Sequence, residues 1–177
     1  MPSRTPSLRR TPRAPLQLTI GVCTPIMEDK PSHWVLMLAD RDAEYATWYH
    51  VVGGPGLASP WKLDISEGRL NSWSVNNRYY VAEIPAKHRR KVKASAKKVP
   101  GRFCQGWVVD VIGDLEKDFV VPVGTQNDIA KLMEADPYYG DAPPKVEKRQ
   151  YLHEYFDAKK MFDWIDKHCF TKLLSPY

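Results

Sequence analysis

The feature that most constrains this chain is a change of period near residue 86. Before it, short runs rich in branched and aromatic residues are separated by Gly, Pro, Asn and Asp. After it, apolar residues recur at spacings of three and four. Two-residue alternation suits strands and 3.6-residue recurrence suits helices. A chain that places its strands first and its helices afterwards is expected to be α+β, an antiparallel sheet packed by helices.

The strand candidates are "LQLTIGVCT" (16–24), "HWVLMLA" (33–39), "TWYHVVGG" (47–54) and "RYYVAEIP" (78–85). "WKLDIS" (61–66) and "NSWSVNN" (71–77) are weaker ones. The glycines of "GGPGLASP" (53–60) lack the Lys-Ser/Thr of a phosphate-cradling loop, so they read as a turn. A first helix is expected over 86–99, with Val92, Ala96 and Val99 inward, ended by Pro100 and Gly101. A second opens at Cys104 and aligns Trp107, Val108, Val111, Ile112 and Leu115 on one face. A short third starts with Thr125 as N-cap. A long fourth covers 145–168, with Tyr151, Tyr155, Phe162 and Ile165 inward.

Charge divides the chain further. Residues 1–15 carry four Arg and no acid, and residues 87–102 carry eight Lys or Arg and no acid. Setting those twelve aside leaves 14 of the 26 bases against 21 acids, so the body is acidic. The first segment is rich in Pro and Ser and is expected to be a disordered tail, with one domain over 16–177. Four prolines oppose its reading as an amphipathic presequence. Lys87, Arg89, Arg90, Lys91, Lys93, Lys97, Lys98 and Arg102 form the second segment. They are either a solvated face or a nucleic-acid contact made through phosphates. No apolar run reaches the length of a membrane span and no secretory leader is visible. Three cysteines make no disulfide framework, so reduced thiols in the cytoplasm are expected.

Chemistry concentrates on three residues. If 33–39 and 47–53 pair about a turn centred between Arg41 and Asp42, His33 lies directly opposite His50. Cys104, at a helix start, has unpaired backbone N–H groups and a partial positive charge nearby, which favour thiolate. A neighbouring His shuttles the proton, and a polar group orients that His. The bland alternative is core packing, since free Cys is among the most buried residue types. Cys23 and Cys169 lack such support and read as structural.

"HWVLMLADRDAEYATWYHV" (33–51), followed about fifty residues later by "FCQGWV" (103–108), resembles the circularly permuted papain-like families. In NlpC-type and lecithin retinol acyltransferase-like proteins, the His strands likewise precede the Cys helix. The pattern is more closely similar to a family of small uncharacterised fungal proteins. Those have an early "HW", a basic helix ending in "VP", a "CxxWV" helix and a long C-terminal helix. The resemblance implies Cys104 as nucleophile, His33 as base and His50 as orienting residue. Phe103 departs from the pattern, which usually has Asn before the Cys.

The implied activity is acyl transfer through a Cys thioester, with no metal and no cofactor assigned. The basic helix at 87–99 suggests an aminoacyl-tRNA donor, with an amide or cyclic dipeptide as product. An anionic lipid surface is the rival polyanion, without a visible apolar anchor. Two readings from other classes stand beside it: a catalytically inactive papain-like binding module or effector, and a simple RNA-binding protein.

Overall fold

The computed structural model describes residues 14–25 and 30–138. Residues 1–13 of the tail expected over 1–15, the helix expected over 145–168, and Cys169 lie outside the described residues. Strands β1 (Leu16–Cys23), β2 (His33–Asp40), β3 (Tyr45–Gly54), β4 (Ser59–Arg69) and β5 (Val75–Ile84) come first. Helices α1 (Arg89–Lys98), α2 (Cys104–Lys117) and α3 (Thr125–Ala130) follow. The α+β expectation holds: the five strands form one antiparallel sheet in the order β4-β3-β2-β1-β5.

β2 lies at the centre of the sheet and is buried on both faces. Trp34, Leu36 and Leu38 join the core beneath the helices, while Val35, Met37 and Ala39 join a second, smaller core with Ala46. That double burial explains why the sequence reads there as one apolar run rather than an alternation. β1 alternates instead, with Leu16, Leu18 and Ile20 fully buried on the helix side.

The sheet curls. β2 and β3 pair only through Leu36–Tyr49, Met37–Trp48 and Leu38–Thr47, whereas β3 and β4 pair along nearly their whole lengths. Register shifts interrupt β1–β5 at two points and β3–β4 near Gly54, and such bulges bend a sheet. Gly53 and Gly54 have φ of 99° and 100°, in the region that side chains resist, so the turn assigned to "GGPGLASP" needs them. Both weak strand candidates fall in or beside larger strands. "WKLDIS" is inside β4, and β5 begins at Val75 within "NSWSVNN".

On the helical side, Cys104, Trp107, Val108, Val111, Ile112 and Leu115 are all buried against the sheet, as their spacing requires. The helix expected over 86–99 divides into a 3-10 turn, 86–88, and α1, with Val92 and Ala96 buried and Val99 partly so. α3 is capped differently from expectation. Its N-cap is Gly124, and the Glu116 carboxylate accepts from the Gly124 and Gln126 N–H groups at 2.9 and 2.8 Å. Thr125 instead donates its hydroxyl to the Pro122 carbonyl at 2.6 Å. Among the described residues no helix is long and apolar enough to cross a membrane.

Because Ile112 is fully buried in the helix-side core, Ile112→Ala leaves a void there. The expected cost is about 2–5 kcal/mol. Equilibrium urea unfolding checks it as a lower midpoint with an unchanged slope.

Candidate active site

The two histidines meet, by a register other than the expected one. The β2–β3 pairing is displaced by two residues from that expectation, so continuing the Leu36–Tyr49 register would set His33 beside Val52. An even displacement keeps each side chain on its face, and His50 reaches His33 diagonally. His33 Nε2 and His50 Nδ1 are 3.0 Å apart, with ring centroids 5.2 Å apart and the rings edge-on.

The sequence reading missed a third member. Asp64 stands directly opposite His50 in the β3–β4 register, and its Oδ2 is 3.1 Å from His50 Nε2. The usable signal was the alternation of "WKLDIS": Leu63 and Ile65 pack against the core, which turns Asp64 to the other face. The hydrogen bond from His50 holds the Asp64 carboxyl below its ordinary value, so it is an anion near neutrality.

This chain fixes the tautomers. A carboxylate only accepts, so His50 Nε2 carries the proton it donates to Asp64. Where Nε2 holds the single ring proton of His50, its Nδ1 accepts from His33 Nε2–H. His33 Nδ1 is then left with a lone pair. Burial, with His50 beside it, pushes the His33 pKa down to about 3, so that lone pair is unprotonated at neutral pH.

Cys104 is the first residue of α2 and is 7% exposed. The backbone N–H groups of Trp34, Gln105 and Cys104 itself lie near its sulfur and act to lower the thiol pKa. The first of these belongs to the peptide group that joins His33 to Trp34. The His33 side chain, however, has the parity of Val35 and Met37, so it and His50 start on the face of the sheet opposite Cys104. The helix-start donors expected from the sequence are present. The expected drop in thiol pKa is not: burial outweighs those N–H groups, and the thiol is pushed up to about 11. The resting pair is therefore a thiol and a neutral imidazole. Cys23, at the end of β1 and paired in register with His33, is pushed up to about 12 by burial and by Cys104.

Phe103 is the N-cap of α2, makes no side-chain cap bond and is buried. Its ring meets Tyr138 at 6.3 Å, and Tyr138 meets Trp61 at 5.6 Å, both edge-on. An aromatic group thus occupies the flank of the thiol where the resembled pattern has an amide. Among the described residues no three His, Cys, Asp or Glu side chains gather as metal ligands.

The eight basic residues divide in two. Arg89 holds both Asp40 oxygens at 2.8 Å, and Arg102 holds Asp110 at 2.6 and 3.0 Å. Lys98 pairs with Asp114, and Lys91 stands 3.8 Å from Asp118. Lys87, Arg90, Lys93 and Lys97 are exposed on one side of the segment, with no acidic partner among the described residues.

No family model matches the chain, and neither a curated protein nor a solved structure matches it.

The lowered His33 pKa has a consequence for stability. Unfolded, the ring binds a proton near pH 6.5; folded, it stays neutral to about 3. Its share of stability is complete above the unfolded value and is lost as pH falls below it. The expected loss from this one group approaches 1.4 kcal/mol per pH unit, roughly. Urea unfolding at pH 6 and pH 5, as round test values, is expected to show that slope in the native chain and not in His33→Asn.

Proposed function

We propose that the protein is a thiol-dependent acyltransferase on a circularly permuted papain-like scaffold, with Cys104 as nucleophile. The reading is supported by the Asp64–His50–His33 chain, which leaves a lone pair on His33 Nδ1, and by Cys104 at the start of α2 beside the backbone of Trp34, the residue after His33. Proton transfer between them requires the His33 ring to swing round the end of β2 to the helix face. His33 acts as general base, His50 orients it, and Asp64 fixes the tautomer of His50. A strand carrying His ahead of a helix carrying Cys is the order that the resemblance implies.

The chemistry follows from the resting protonation. As the sulfur attacks the acyl carbon, the S–H proton passes to His33 Nδ1, avoiding a free thiolate in a buried site. The bond from carbonyl carbon to leaving oxygen or nitrogen breaks, and His33 returns the proton to that leaving group. The N–H groups at the start of α2 stabilise the negative charge that grows on the carbonyl oxygen. An acceptor, whether water, an amine or an alcohol, then attacks the thioester, giving its proton to His33 and releasing the thiol.

An activated aryl acetate tests the reaction. Intact mass is expected to show one added acetyl group on the native chain and none on Cys104→Ala. A native chain that acetylates no faster than the alanine variant sinks the proposal. The pH profile is a second check. Activity in kcat/KM needs His33 neutral and is lost only as pH falls toward about 3; the thiol ionises only toward about 11. The profile is expected to be flat wherever the protein stays folded, rather than a bell centred near neutrality.

For the acyl donor we favour an aminoacyl ester of tRNA, with an amide or cyclic dipeptide as product. The stripe of Lys87, Arg90, Lys93 and Lys97 supports it, since cations without acidic partners are the ones that can exchange counterions for phosphates. Charge reversal at those four to Glu is expected to abolish RNA binding, with a native salt slope of roughly −3 for a single strand. Filter binding across ionic strength reads this out. Reversal at Arg89 and Lys98 is expected to disturb their Asp40 and Asp114 pairs while leaving most of that slope. RNA affinity unaffected by the fourfold change removes the tRNA donor and leaves the thiol chemistry untouched.

A further inference from the structure

Gln105 follows Cys104 directly, sits within an apolar helix, and is completely buried. A primary amide in such a position costs free energy unless its hydrogen bonds are made. They are made, and to two particular places. Its Nε2 donates to the Ser32 carbonyl at 2.8 Å and to Glu134 Oε2 at 3.0 Å, while its Oε1 accepts from the Glu134 N–H at 2.8 Å. Ser32 completes the ring of bonds. Its N–H donates to Glu134 Oε2 at 2.6 Å and its hydroxyl to Oε1 at 2.8 Å. Ser32 immediately precedes His33. The network therefore ties the residue after the sulfur to the residue before the base, and closes the chain beyond α3 onto both.

An apolar side chain of similar volume would pack α2 against the sheet without any desolvation cost. Packing alone therefore does not account for an amide here. What the amide adds is direction, because each of its atoms accepts or donates along a fixed line. Removing one partner strands the others in a buried setting, so the arrangement holds as a unit.

We propose that Gln105, Ser32 and Glu134 are positioning residues, a clamp that sets where the Cys104 sulfur stands against the His33–Trp34 peptide group. The proposal rests on the reading of Cys104 as nucleophile, but its geometry is independent of turnover. With the clamp intact, the sulfur is held in its buried seat, where reaction depends on His33. With the clamp open, the thiol moves toward water, its pKa falls toward the ordinary value, and it parts from its base.

The test compares the full-length native chain with Gln105→Leu and Ser32→Ala, using two reagents that respond oppositely. Alkylation of Cys104 by iodoacetamide needs only thiolate. Opening the clamp is expected to raise its rate at neutral pH by about tenfold for each unit by which the thiol pKa falls. Its pH midpoint moves down from about 11. Acetylation by the aryl acetate needs His33, so its rate constant is expected to fall by about tenfold or more, with KM little changed. Ser32→Ala keeps both backbone bonds of Ser32 and is expected to move each readout the same way by less; it decides the matter if Gln105→Leu does not fold. An alkylation profile identical to native in the folded variants overturns the clamp. A native chain that never acetylates, with alkylation still shifted in the variants, removes the enzyme reading and keeps the clamp.

Discussion

A strand covered on both faces cannot slip by one residue without driving a whole row of side chains into the wrong core, and β2 is such a strand. Trp34 and Leu36 fill one core while Val35 and Met37 fill the other. This fixed register determines which way His33 faces at the beginning of the strand and where the Trp34 N–H points. The thiol of α2 is then set against that N–H by packing of Trp107, Val108 and Ile112 below the sheet. The neighbouring strands have more freedom. β3 departs from β2 after three paired residues and carries His50 back to His33 on the curl, with Asp64 of β4 riding alongside.

Two opposing electrostatic effects meet at the sulfur, and their relative size determines its chemistry. Backbone N–H groups at a helix start favour a thiolate; loss of hydration favours a thiol. At 7% exposure the second prevails. The same loss of hydration, with a second imidazole beside it, acts on His33 in the opposite sense, because for histidine the charged form is the protonated one. Both groups are thus neutral for one physical reason. The proposed attack therefore moves a proton rather than drawing on an ion pair stored beforehand.

Much of this was legible in the residues themselves. The order of strands and helices, the buried face of α2 and the meeting of His33 with His50 all follow from period and parity. The exact register did not. A two-residue displacement leaves every apolar side chain on its proper face, so the pattern could not distinguish it from the expected pairing. Asp64 was concealed because alternation gives its face but not that it stands opposite His50, and Gln105 because a polar residue inside an apolar helix carries no sign of what it bonds. Glu134 and Ser32 lie 102 residues apart and touch only in the folded chain. The basic segment illustrates a different limit: charge counted along a sequence does not reveal which cations are neutralised by acids from elsewhere, as Arg89 is by Asp40.

The Asp64 end of the hydrogen-bonded chain bears on how the buried His33 ring exchanges protons. The Asp64 side chain is half exposed and that of His50 is 12% exposed, whereas the sulfur lies deep. Hydrogen bonds of 3.0 and 3.1 Å join Asp64 through His50 to His33 in a line. Such a line is a conduit to bulk water: tautomer exchange along two rings lets a proton on the buried His33 ring equilibrate with solvent without that ring being exposed.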